Sequence, residues 1–124
     1  MIKNCSNRVM VENLRDGIGP ASVQTLIGKG DLLQDVSFVG IVRLEPGSSI
    51  GYHLHDSDGE IYYVLSGSGK FYKSKTETID IQEGDLTCIH PSSGHGIVNT
   101  SKEELTLLAI VYEEISLVDE SDLV

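Results

Sequence analysis

Runs of β-branched, aromatic and aliphatic residues, four to eight long and broken by Gly, Pro, Asp and Ser, recur about every ten residues along the chain. This pattern predicts strands over 23–28, 36–44, 50–55, 60–65, 69–73, 77–81, 86–90, 95–99 and 105–113. The gaps carry turn chemistry: Glu45-Pro46-Gly47, Asp56-Ser57-Asp58-Gly59, Ser66-Gly67-Ser68-Gly69, Glu83-Gly84-Asp85 and Pro91-Ser92-Ser93-Gly94. No 3.6-residue period persists beyond two turns, and no fixed repeat is present. Short strands at this spacing imply an all-β, antiparallel sandwich or barrel. Residues 1–20 lack a clear period and end in Gly17-Ile18-Gly19-Pro20, which suits an arm lying over a barrel that spans 23–113. Residues 114–124 are acidic and contain no basic residue, which fits a solvated tail; an exchanged edge strand is the competing reading.

Composition narrows the class. The 124 residues are enough for one domain, and an apolar fraction of 40% supplies a core. A formal charge of −10 argues against nucleic acid and anionic membrane surfaces, whose affinity comes from Lys and Arg. No apolar run reaches the roughly 18 to 20 residues of a membrane span, and the first residues lack the apolar stretch of a signal peptide. A cytoplasmic protein is therefore expected. Cys5 and Cys88 stand far apart and read as reduced thiols, with Cys88 expected as a small buried side chain.

The chemistry concentrates in the histidines. All four, His53, His55, His90 and His95, lie between the middle of the chain and its last quarter. On a strand, His53 and His55 project to one face about 6.6 Å apart, so their imidazoles can converge on one ion. Folding Asp56–Gly59 as a hairpin is expected to set residue 60 opposite 55 and residue 62 opposite 53, bringing the Glu60 carboxylate beside the two rings. Two imidazoles and a carboxylate suit a transition metal, and His95 is the candidate further ligand.

The segment Gly47-Ser-Ser-Ile-Gly-Tyr-His53-Leu-His55-Asp-Ser-Asp-Gly-Glu60-Ile-Tyr-Tyr-Val-Leu-Ser-Gly67 resembles the first cupin motif, G-x5-H-x-H-x4-E-x6-G, at every spacing. Gly84 to Asn99 resembles the second, G-x5-P-x-G-x2-H-x3-N, in the distances from Gly84 to His95 and from His95 to Asn99. Pro91 stands one residue late and Gly94 two, which alters the turn before His95 more than the register of His95 itself. The resemblance, carried by 47–67 and 84–99, implies a single small cupin domain over 1–124, an antiparallel double-stranded β-helix or jelly roll. It implies metal ligation by His53, His55, Glu60 and His95, turn roles for Gly47 and Gly67, and a structural role for Asn99.

A divalent ion on three imidazoles and one carboxylate keeps a net charge of about +1 and about two open positions, which favours anionic, oxygen-rich guests. The expected cofactor is one divalent ion of manganese, iron, cobalt, nickel, copper or zinc. Tyr62 shares the face of Glu60 and is expected beside His53; His90 shares parity with Leu86 and Cys88. These two are the candidate proton-moving side chains. A core position for Tyr62 and a packed or solvent-facing one for His90 are the competing readings. Tyr52, Tyr63 and Tyr72 are assigned to the outer face, and Arg43 is read as a surface charge rather than an anion anchor. The expected function is a metal-dependent enzyme acting on a small carboxylate, keto or sugar-like molecule by dioxygenase or isomerase/lyase chemistry. The alternatives are a non-catalytic module binding a sugar acid or dicarboxylate, and a storage or structural protein. A homodimer is expected, because a small open barrel leaves sheet edges to protect.

Overall fold

The computed structural model describes residues 1–113, so the acidic segment 114–124 lies outside the described residues. Ten strands are present among them: β1 Val9–Glu12, β2 Pro20–Ile27, β3 Val36–Leu44, β4 Ser49–Leu54, β5 Asp58–Ser66, β6 Ser68–Tyr72, β7 Thr78–Gln82, β8 Leu86–Ile89, β9 Gly94–Val98 and β10 Leu105–Glu113. The nine expected strands appear with ends shifted by a few residues at most. A tenth, β1, pairs with β2, so part of the expected arm is an edge strand. Short 3-10 turns at Leu14–Asp16 and Lys29–Asp31 are the only helical elements among the described residues, and no helix is long and apolar enough to cross a membrane.

All pairings are antiparallel and form two sheets, ordered β1-β2-β3-β10-β5-β8 and β4-β9-β6-β7. From β3 to β10 the chain crosses repeatedly between the sheets, which is the winding of an antiparallel double-stranded β-helix. This overturns one local expectation. The Asp56–Gly59 segment does not close a hairpin, because β4 and β5 belong to different sheets and do not pair. Glu60 therefore meets the histidines across the barrel interior rather than beside them in one sheet.

Inward positions follow a period of two. Val42 and Leu44 of β3, Tyr62 and Val64 of β5, and Leu105, Leu107 and Ala109 of β10 are buried, and with Ile97 and Phe71 from the facing sheet they make one core. The interval from Ile50 to His53 breaks this period. Both side chains face inward although they are three residues apart, and the β4–β9 register slips between Ile50↔Ile97 and His53↔His95. An extra residue at Gly51-Tyr52 opposite Gly96 is a β-bulge, and it turns His53 to the inside.

Asn99 closes the other end. Its buried amide donates to the Leu44 and Glu103 carbonyls and accepts from the Ser101 N–H and hydroxyl, which ties the 99–104 loop to the end of β3. Cys5 and Cys88 are free thiols. Cys88 is exposed rather than buried, because β8 is the outermost strand of its sheet and Cys88 points away from the core.

The late Pro91 and Gly94 have a structural consequence. His90–Ser93 closes as a turn with the Ser93 N–H donating to the His90 carbonyl, and Ser92 takes φ +70°. Gly94 then sits buried in β9 instead of in the turn. An L-residue at this φ is disfavoured where glycine is not. Ser92→Gly is expected to raise the thermal midpoint by a few degrees, measured by calorimetry on matched samples; a lower midpoint would contradict the strain assigned to this turn.

Candidate metal centre

The bulge of β4 delivers His53, the residue after β4 delivers His55, β5 delivers Glu60 and β9 delivers His95. Their donor atoms all lie within 4.8 Å of one another. The Nε2 atoms of His53 and His55 are 3.1 Å apart, and Glu60 Oε1 lies 3.1 Å from His55 Nε2, 2.9 Å from His95 Nε2 and 3.7 Å from His53 Nε2. Donors bound at about 2.0–2.2 Å to a shared ion stand about 3 Å apart when they meet at right angles, so the spacing fits a transition metal.

Hydrogen bonds on the far side of two rings decide what faces the centre. His53 donates Nδ1–H to the Gly51 carbonyl at 2.8 Å, and His55 donates Nδ1–H to Asp58 Oδ1 at 2.6 Å. Both acceptors demand a proton on Nδ1, so in the neutral rings both Nε2 atoms carry bare lone pairs. Two such lone pairs and the Glu60 carboxylate then point at one another. A proton on one of the ring nitrogens or a cation between them relieves that arrangement, and the donor set of imidazole and carboxylate suits a divalent transition metal. His95 Nδ1 is buried without a hydrogen-bond partner among the described residues.

The electrostatics agree. Burial pushes the Glu60 carboxyl up, but the imidazoles of His53 and His95, with the charge of His55, outweigh it and hold the group at about 2. Burial drives His95 below its ordinary value, opposed in part by Glu60. Near neutral pH the centre therefore offers an anionic carboxylate and a neutral His95, the forms a metal needs.

A cavity of about 560 Å³ opens beside the centre, lined in part by His53, Glu60, Tyr62, Asp58 and Arg15. Tyr62 is fully buried and stacks on His95, with ring centroids 4.6 Å apart and planes 3° from parallel, and lines the same cavity as His53. Burial foremost, then Glu60, raises its phenol well above the ordinary tyrosine value, so it remains protonated. His90 is exposed and lines a separate hollow with Tyr52, Lys73 and Cys88. Arg43 donates to Gln24 Oε1 at 2.8 Å on the outside of β3 and does not line the cavity. Tyr63 is exposed, and Tyr52 and Tyr72 are half-buried.

Two site residues have no signal in the linear pattern. Asp58 reads as a turn residue, yet it orients His55. Arg15 lies 38 residues before His53 in a segment without period, and only the fold brings it to the cavity.

With the double-stranded β-helix and its four convergent ligand-type side chains described, comparison with known proteins assigns the class: a family model described as "Cupin domain" matches residues 40–111, and the chain belongs to that family. A relative named "Oxalate-binding protein" from Thermotoga maritima is 32% identical over 101 residues, covering 82% of this chain and 83% of its own. A crystal structure from Thermotoga maritima, described as a predicted oxalate decarboxylase, superposes with a TM-score of 0.84 at 29% identity, covering 92% of this chain and all of that one. A Cupin 2 conserved barrel domain protein from Salinispora arenicola shares the fold at a TM-score of 0.71 and 21% identity, covering 91% of this chain and 88% of its own.

The pKa directions predict how the metal-free protein responds to acid. His95 is lowered from 6.5, so as pH falls below 6.5 the unfolded chain takes up a proton that the folded chain resists, and stability falls. Glu60 is lowered from 4.5 to about 2, so its contribution is present above 4.5 and is lost as pH falls towards 2. For chelator-treated protein, the stability difference between wild type and His95→Gln is expected to change below pH 6.5, and that between wild type and Glu60→Gln to change below pH 4.5. Thermal melts across the pH series would read both. Differences that stay flat across these windows would contradict the assigned directions.

Proposed function

We propose that the chain holds one divalent ion of manganese, iron, cobalt, nickel, copper or zinc on His53, His55, Glu60 and His95, and uses it to bind a small carboxylate, with oxalate the first to test. The observation that carries this reading is the convergence of two imidazole nitrogens and a buried carboxylate oxygen, 3.1 to 3.7 Å apart. The names given to the Thermotoga maritima relative and to the crystal structure from that organism support oxalate as the first probe. When bound, the ion supplies Lewis-acid polarisation of a chelated carboxylate. The protein's own contribution is positional. Gly51 and Asp58 hold two rings in register, Tyr62 supports His95 by stacking, and the buried surroundings exclude bulk water from one side of the guest.

A second reading, turnover of the guest by lyase or decarboxylase chemistry, is supported by one observation. Tyr62 lines the cavity, which puts its hydroxyl within the space a guest held beside Glu60 would occupy. His90 contributes to neither reading from its exposed position outside this cavity.

Metal analysis of protein purified without a chelating tag is expected to find about one ion per chain in wild type and a large loss in His53→Ala. Unchanged content in that variant would remove the site. Calorimetric titration of the metal-loaded protein with oxalate is expected to show binding, which chelator treatment abolishes. Under the turnover reading, oxalate is consumed by wild type, and Tyr62→Phe binds it without consuming it. Binding without consumption by wild type would leave the binding reading alone.

A further inference from the structure

We infer that Arg15 is the second anchor of the cavity, pairing its guanidinium with the carboxylate of a dianionic guest that lies beyond the metal-held end. The inference rests on the carboxylate-binding reading above. Arg15 and Lys29 are the basic residues lining the cavity that His53, Glu60 and Tyr62 also line. Unlike Arg43, which is held by Gln24, Arg15 makes no hydrogen bond or ion pair among the described residues. Its charge nevertheless reaches into the site, acting on the Tyr62 phenol.

The placement of Arg15 is built into the fold. The Leu14–Asp16 turn lies backbone to backbone on β4, where a Cβ on Gly17 would run into the Ser49 carbonyl and one on Gly51 into the Arg15 carbonyl. Reciprocal bonds lock the contact, with the Ile18 N–H donating to Ser49 Oγ and the Ser49 N–H to the Ile18 carbonyl, each at 2.8 Å. Within this turn Asn13, Arg15 and Asp16 all take positive φ, at 55°, 53° and 61°. Arginine is a poor residue for that backbone, and glycine would fit it better. A strained residue facing the cavity is more readily understood through its side chain than through the turn.

Charge matching favours a dianion. Glu60 reduces a divalent ion's two charges to one, Arg15 and Lys29 add two, and Asp58 removes one. The cavity of a chain whose net charge is −10 thus holds two positive charges in excess once the ion is in place. A planar guanidinium meets a carboxylate through two parallel hydrogen bonds, which a lysine cannot reproduce.

The test compares manganese-loaded wild type, Arg15→Gln, Arg15→Lys and Arg15→Gly by calorimetric titration with oxalate and with glycolate, a chelating acid that lacks the second carboxylate. Manganese content and thermal midpoint are measured on the same samples. Arg15→Gln is expected to weaken oxalate by about ten- to a hundredfold, the worth of a charge-assisted pair. Glycolate should change by less than about threefold and manganese content should stay level. Arg15→Lys should recover part of the oxalate affinity. Arg15→Gly should lose oxalate to the same extent while melting higher than wild type, an outcome that a merely structural arginine would not give. Unchanged oxalate affinity in Arg15→Gln, or an equal loss for glycolate, would overturn the anchor while leaving the carboxylate reading in place. Wild type that retains manganese but binds neither acid would remove that reading, and the anchor with it.

Discussion

The structure depends on one slip in a strand register. Ile50 belongs to the core and His53 to the cavity wall, and a regular strand cannot turn both inward across three residues. The extra residue at Gly51-Tyr52 resolves the conflict, so Ile50 still meets Ile97 while His53 comes to face His95. The bulge also leaves the Gly51 carbonyl aimed at His53 Nδ1, which selects the tautomer that presents Nε2 to the centre. Ring position and ring protonation thus follow from the same local backbone feature.

The bulge turns only His53 inward, and strand pairing and the winding of the barrel bring the other three candidate ligands to it. β4 and β9 are neighbours in one sheet, whereas Glu60 reaches in from β5 of the other. A carboxylate brought across the interior is buried on several sides, and its desolvation would be costly without the imidazoles around it. The same interior that seats Tyr62 flat on His95 gives the centre a stiff apolar wall. Stability and ligand placement are therefore in tension here: the polar cluster takes positions that core side chains would otherwise fill, and a cation offsets the mutual repulsion of its acceptors.

What the sequence displays, and what it hides, divides along contact range. The strands are legible because a period of two is a local signal, and the parity of Glu60, Tyr62 and Val64 correctly puts them on one inward face. His53 and His55 share a face for the same reason, and the spacing of the two cupin motifs carries His95 with them. Pairing partners are not local. Four turn-forming residues after His55 satisfy the rules for a hairpin equally well as those for a crossover between sheets, and only the global winding decides. Cys88 looks buried from its apolar neighbours because an edge strand is not recognisable before the sheet order is known. The bulge does leave a trace: Ile50 and His53 make incompatible demands on parity, and the glycine between them marks where the strand yields.

Arg15 is hidden for a stronger reason, and that reason ties the two ends of the cavity together. Its position depends on Gly17 and Gly51 approaching without side chains, a contact across 34 residues that no run of apolar positions announces. Gly51 is also the residue whose carbonyl fixes His53. One backbone segment therefore supports the candidate metal ligand His53 on one side and the turn bearing the arginine on the other. A displacement of β4 at Gly51 would move both, so the spacing between the face carrying the candidate ligands and the backbone of Arg15 is set by short backbone contacts. Backbone fixed at both ends of the cavity limits how far the two groups can drift apart, and a binding geometry loose by about 1 Å loses discrimination between small guests.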